Sequence, residues 1–196
     1  SDEARLQHML NEFLFQGIEK IDENFKSKLR LINGDMELDG LGISSEDREY
    51  IIENVNITIH GAAALNFKGK FKRTVAINVR GTKQLLDLTI DTKHFQSFIF
   101  ISTAYSQCPR VHSSETFYET PLDYKDALNI LNCIEDENSV DFVSKKLIYP
   151  WPNSYTFTKA VTEDMIRQYQ GKLPVIIVRP SIGMKIKLKF NLIKLN

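Results

Sequence analysis

The chain has 196 residues, 42% of them hydrophobic, with 25 basic and 25 acidic side chains and no formal net charge. That size and composition fit one globular domain with a sizeable core and exclude a disordered or fibrous chain. Zero net charge supplies no overall field to recruit nucleic acid, and no apolar run approaches the roughly 20 residues needed to cross a bilayer.

Residues 4 to 20 open the chain with Leu6, Met9, Leu10, Phe13 and Leu14 on one helical face. Leu29 to Ile32 is the first short apolar run and is read as a strand. Ser44-Ser45-Glu46-Asp47 begins a capped helix that ends near Asn54. A second strand is expected at Val55 to Ile59, and a long helix at Val75 to Ile90 carrying Val75, Val79, Leu85, Leu86 and Leu88. Phe98 to Ile101 is the third strand. Residues 105 to 152 then break the rhythm, with Pro109, Pro121, Pro150 and Pro152 around a helical patch near Ala127 to Ile134; so long an excursion is functional or mobile. A helix over 154 to 169 stacks Phe157, Val161, Met165 and Ile166, with Gly171 as its stop. Val175 to Val178 is the fourth strand. The four runs lack polar alternation, which predicts strands covered on both faces, and strand alternating with helix predicts an α/β fold with a parallel sheet.

Cys108 and Cys133 offer neither metal-ligand spacing nor a disulfide framework, so a soluble segment in a reducing, intracellular compartment is expected. The opening SDEARLQHML has no signal-peptide pattern. Basic clusters at Lys68 to Arg73 and Lys185 to Lys194 read as solvated surface.

Ligands of open α/β sheets bind outside the carboxyl ends of the strands. The residues following the four runs are Gly34-Asp35, His60-Gly61-Ala62-Ala63, Ser102-Thr103-Ala104-Tyr105 and Arg179-Pro180-Ser181. Small residues and hydroxyls gather there, as a flat ligand requires. Tyr155 and Lys159 stand four apart at the head of the next helix, where an ammonium can lower the pKa of a phenol, and the Ser102 or Thr103 hydroxyl can hold a carbonyl oxygen beside it while a hydride arrives from a cofactor. Each residue also has a plainer description: a surface tyrosine, a solvated lysine, a turn pair. The spacing alone is what chance gives; the order of strand, Ser-Thr, excursion, Tyr-x-x-x-Lys helix, strand and Arg-Pro is not.

That order, with TIHGAA, INVRGTKQLLDL, FISTAYSQC, YPWPNSYTFTKA and LPVIIVRPSIG, resembles the extended short-chain dehydrogenase/reductases. More narrowly it is similar to the alcohol-forming fatty acyl-CoA reductases of the male-sterility type, over about residues 4 to 183. The resemblance implies reduction of a long-chain fatty acyl-CoA to a primary alcohol through an aldehyde, with NADPH as hydride source. It implies Tyr155 as proton donor and Lys159 as the residue that depresses its pKa and bonds the nicotinamide ribose. Thr103 would orient the carbonyl, with Ser102 as the second candidate. Asn78 would organise the site and a relay water, or is simply a helix-start residue. Asp35 would meet the adenine, His60, Ala62 and Ala63 the adenine ribose and pyrophosphate, and Pro180 to Ile182 the nicotinamide amide; His60 is equally described as a satisfied strand-end histidine.

The sequence departs from that family at both ends. None of its nine glycines forms a Gly-x-Gly-x-x-Gly turn. The expectation is therefore an incomplete Rossmann-type, doubly wound parallel sheet over 1–183, lacking the first strand, the glycine-rich turn and the second strand, followed by a divergent lysine-rich tail over 184–196. Such a sheet is expected to self-associate. The excursion at 105 to 152 is the natural lid. Family resemblance further implies membrane association of the full-length proteins, at peroxisome or endoplasmic reticulum. A sugar-nucleotide epimerase or dehydratase using the same triad, and a non-catalytic interaction module, are the alternatives.

Overall fold

The computed structural model describes residues 2–66, 70–133 and 136–181. Ile182, the tail over 184–196, the end of the helical patch at Ile134 and Lys68 in the first basic cluster lie outside them.

Three short strands, β1 (Ile57–His60), β2 (Ser97–Ile101) and β3 (Val175–Val178), form a parallel sheet in that order. Their register aligns His60 with Phe100 and Ile177, and Ile59 with Ile99 and Ile176. Parallel neighbours need helical crossovers. The first runs through α4 (Phe71–Val75), one π-helical turn (Ala76–Gly81) and α5 (Thr82–Ile90). The second runs through α6 (Tyr124–Cys133), α7 (Glu137–Leu147) and α8 (Ser154–Arg167). Upstream lie α1 (Asp2–Leu10), α2 (Phe13–Glu19) and α3 (Ser45–Asn54). The α/β class and the parallel sheet are those expected.

Because side chains alternate along a strand, the register sends Phe98, Phe100, His60 and Ile177 to one face. On that face Phe98 and Phe100 join Val75, Val79 and Leu86 of the first crossover and Phe157, Val161, Met165 and Ile166 of α8 in one cluster. Each such side chain, fully buried, contributes roughly 2–3 kcal/mol. The α8 helix begins where the Asn153 side chain accepts the Thr156 N–H (2.9 Å), the capping that fits Asn just ahead of a helix.

Three expectations need correction. Leu29 to Ile32 is extended but is no strand: Leu29 and Leu31 are exposed, and no strand among the described residues pairs with theirs. A strand exists through its ladder of backbone bonds, so an apolar run without a neighbour stays coil. The sheet is also not covered on both faces among the described residues: Ile57, Ile59, Ile176 and Val178 are exposed on the side opposite Phe98. Thirdly, the amphipathic run at 4 to 20 breaks at Asn11–Glu12 into α1 and α2.

The excursion is built mostly of packed structure. Helix α6 lies against α4, the π turn and α8, and α7 against α4, so Ala127 and Val140 belong to the main cluster. Helix α7 was missed by apolar spacing. Its start is marked by Asp136, whose carboxylate accepts the Ser139 N–H at 2.8 Å. Trp151 closes the excursion: its indole Nε1 donates to the Ser106 carbonyl (2.7 Å), and its ring meets Phe157 edge-on at 5.6 Å.

Candidate active site

Beyond their paired residues, β2 and β3 continue to bond, Ser102 N–H to the Val178 carbonyl (2.8 Å) and Ala104 N–H to the Pro180 carbonyl (2.9 Å). This brings Thr103 beside Pro180 at the carboxyl ends of the strands. The first turn of α8 faces the same place. Ser102, Thr103, Tyr155, Pro180 and Ser181 line a cavity of about 680 Å³, with Leu65, Tyr105, Cys108, Pro152, Asn153 and Thr156 completing its wall.

Within it the Thr103 hydroxyl lies near enough to the Tyr155 phenol to favour its ionised form. Burial, the larger influence, pushes the phenol's pKa up, and Thr103 offsets only part of that. The expected lowering by Lys159 is absent here, because the ammonium is turned inward. Lys159 Nζ donates to the Ile101 carbonyl (2.7 Å) and sits over the Phe100 ring at 4.4 Å. Its pKa falls to about 8, since desolvation disfavours the charge more than Glu163 favours it.

Ser102 has a different partner. Its hydroxyl donates to Glu163 Oε1 at 2.5 Å, two turns down α8 from Tyr155. Glu163 is fully buried and also receives Arg179 through Nε and Nη2, at 3.0 and 2.8 Å.

Asn78 lies in the π turn, buried, and joins three elements. Its Oδ1 accepts the Ala64 N–H (2.8 Å) and its Nδ2 donates to Thr158 on α8 (2.9 Å). The π turn breaks the helical bonding pattern, and the Asn78 carbonyl accepts the hydroxyls of Thr82 (2.7 Å) and Thr162 (2.9 Å). Thr82 thereby spends its proton, so its contact with His60 (2.8 Å) requires Nε2 of the imidazole to be the donor. His60 is buried against Phe98 and Phe100, and its pKa drops to about 4, first through desolvation and then through Lys159. It points into the core, while Gly61 and Ala62 are exposed and Ala63 is half-buried in the loop that follows.

Asp35 is exposed at the end of the first extended segment. Its carboxylate accepts the Glu37 N–H (2.8 Å) and its N–H donates to the Leu41 carbonyl (2.7 Å), which closes the turn. That loop rests on the π turn at Gly81, where a Cβ would come within 2.6 Å of the Met36 carbonyl oxygen. Asp35 and the 61–62 stretch are thus exposed, and none of the glycines in the sequence forms a Gly-x-Gly-x-x-Gly turn.

Parallel strands joined by helical crossovers, with a crevice at the strands' carboxyl ends, make this a Rossmann-type domain. The chain belongs to the NAD-binding family described as male sterility protein, whose profile matches residues 1–185. It is 36% identical over 179 residues to the fatty acyl-CoA reductase wat of Drosophila melanogaster, covering 91% of this chain and 34% of that protein. It is 36% identical over 180 residues to fatty acyl-CoA reductase 1 of Homo sapiens, covering 92% of this chain and 35% of that protein. The chain thus spans about a third of the length of these curated relatives. Among solved structures, the terminal R domain of the myxalamid PKS-NRPS pathway superposes with a TM-score of 0.56 at 22% identity, over 82% of this chain and 35% of that one. No helix among the described residues is long and apolar enough to cross a membrane.

Sequence reasoning missed Glu163 and undervalued Trp151. Glu163 could have been found: Tyr155, Lys159 and Glu163 stand at i, i+4 and i+8, a polar stripe on one face of a helix that carries Phe157, Val161 and Met165 on the rest.

Proposed function

We propose that this chain is the catalytic part of an NADPH-dependent reductase that converts a long-chain fatty acyl-CoA to the primary alcohol through the aldehyde. The observation that carries the reading is the Tyr155–Thr103 pair in a 680 Å³ cavity at the carboxyl ends of β2 and β3. The names of the relatives supply the substrate class.

In this reading the Thr103 hydroxyl and the Tyr155 phenol hold the carbonyl oxygen of the bound thioester, then of the aldehyde. A nicotinamide cofactor, when bound, would supply the hydride to the carbonyl carbon. As charge builds on the oxygen, Tyr155 passes its proton there; a phenol kept protonated by burial suits that role. Two such reductions, with loss of CoA thiol between them, consume two cofactors and two protons. Lys159 holds the Ile101 carbonyl and hence the strand end that carries Thr103; to bond the cofactor's ribose its ammonium would have to turn outward. Asp35 would meet the adenine, and the backbone from His60 through Ala62 and Ala63 the ribose and pyrophosphate, the His60 side chain staying in the core; Pro180 with Ile182 would meet the nicotinamide amide, while Asn78 braces the loop at Ala64 against α8.

The test is to extend the chain to the length of its relatives and supply long-chain acyl-CoA with NADPH or NADH. Fatty alcohol is expected with NADPH, and Tyr155→Phe is expected to lower its formation at least a hundredfold, the order of magnitude of general-acid catalysis. Turnover of a nucleotide sugar without alcohol would assign the site to an epimerase or dehydratase instead. Calorimetric titration of the 196-residue chain with NADPH asks separately whether the site holds cofactor without a phosphate turn.

A further inference from the structure

The Glu163 carboxylate is fully buried, yet it serves none of the groups in the cavity wall except Ser102. It accepts four hydrogen bonds: from the Ser102 hydroxyl (2.5 Å), Gln107 Nε2 (3.3 Å), and Arg179 Nε (3.0 Å) and Nη2 (2.8 Å). The rest of the guanidinium is used as fully. Nη1 donates to the Ser114 carbonyl and Nη2 to the Thr116 carbonyl, each at 2.9 Å. One ion pair therefore bonds helix α8, the end of β2, the end of β3 and two places in the excursion.

An ion pair so desolvated is an expensive way to gain stability, since well-packed apolar residues commonly do as well. Its geometry suits another purpose. Ser102 precedes Thr103, so the bond to Glu163 fixes the backbone that aims the Thr103 hydroxyl at Tyr155. Glu163 also lies one turn below Lys159 and is the carboxylate that acts on that ammonium.

We propose that Glu163 and Arg179 are positioning residues, a buried clamp that aims Thr103 at Tyr155, sets a carboxylate one turn of α8 below Lys159 and ties the segment at Ser114–Thr116 to the ends of the sheet. The proposal gains its catalytic meaning from the reductase reading, but its geometry stands without it. Glu163 is the negative group facing Lys159. Tyr155 from α8, His60 from β1, which is neutral at physiological pH, and Arg179 beyond Glu163 are the other titratable or charged groups around that ammonium; β2 contributes the Phe100 ring and the Ile101 carbonyl.

The test uses the 196-residue chain and three substitutions. In Glu163→Gln the titration of the Lys159 amine, followed by NMR of isotope-labelled lysine, is expected to move to lower pH by about one unit, the direction that loss of a neighbouring negative charge dictates. In Arg179→Gln, amide hydrogen exchange over residues 113–118 is expected to accelerate by roughly tenfold or more. In Ser102→Ala the Lys159 midpoint stays in place, because the carboxylate remains. If the single variants do not fold, the double variant Glu163→Gln/Arg179→Gln replaces the pair by neutral amides without leaving one charge behind; the faster exchange at 113–118 is expected in it, with a smaller fall of the Lys159 midpoint because the Arg179 charge is lost as well. An unmoved Lys159 midpoint in a folded Glu163→Gln chain, or unchanged exchange at 113–118 after loss of Arg179, overturns the proposal. Neither readout depends on acyl-CoA reduction, so failure of the reductase reading remains a separate result.

Discussion

Protonating His60 would place a charge among Phe98 and Phe100, close to the ammonium of Lys159, and the folded chain resists it: the imidazole titrates at about 4 rather than 6.5. An unfolded chain takes up that proton first. The stabilisation is therefore complete above pH 6.5 and is lost as pH falls toward 4, and the shift corresponds to about 3 kcal/mol. Thermal melts between about pH 7 and 4.5 should show this loss in the native chain and a flatter profile in His60→Gln. Asn78 allows a second test. Asn78→Ala would leave the Ala64 N–H without its acceptor and remove a donor to Thr158, for a cost of about 3 kcal/mol in a chemical-denaturation curve. The sequence placed Thr103, Tyr155 and Pro180 at one crevice because residues after strand ends converge in any parallel sheet. It could not say which way Lys159 or Ser102 turns, since that is settled by the Ile101 carbonyl and by Glu163, two groups that local pattern does not connect.

The helical crossover from Phe71 to Ile90 contains a glycine that ordinary helix propensity argues against. At an exposed helix position Gly81→Ala would stabilise by about 1 kcal/mol. Here the new methyl would meet the Met36 carbonyl oxygen at 2.6 Å, backbone that cannot swing aside, so overpacking wins. The variant is expected to lose about 1–3 kcal/mol in its melt and to shift the loop carrying Asp35, with weaker dinucleotide binding by calorimetry as the second readout. The start of α8 gives a gentler case: Asn153→Ala removes the cap at Thr156 and should cost about 1 kcal/mol. Strands β2 and β3 and helices α3 and α8 were legible because their apolar spacing or caps are local. The π turn was not: no local spacing marks it, and its partners include Thr158 and Thr162 of α8, at least 80 residues further along the chain, which bond the Asn78 side chain and carbonyl. Leu29 to Ile32 failed for the complementary reason: its apolar character is local, but strand formation depends on a neighbour.

Seen as one body, the fold is asymmetric. One side of the sheet is filled by aromatic rings and two crossovers, while the other presents Ile59 and Ile176 at 68% and 51% exposure with Ile57 and Val178 beside them. Contiguous apolar surface of this kind binds hydrophobic dyes and drives association. The isolated chain is expected to enhance the fluorescence of such a dye, and Ile59→Lys/Ile176→Lys to reduce that enhancement severalfold without lowering the melting temperature, since both side chains already face water. Equal dye binding by both chains would place the accessible surface elsewhere.

The chain carries a single tryptophan, and the fold sets it where the two ends of the long excursion meet. Trp151 is thus a built-in optical gauge. With its indole bonded to the Ser106 carbonyl and its ring against Phe157, the native chain is expected to emit at short wavelength and resist acrylamide, and parting of those ends is expected to move the emission red. Separation of the two ends of the excursion can accordingly be followed by light alone, with no label attached.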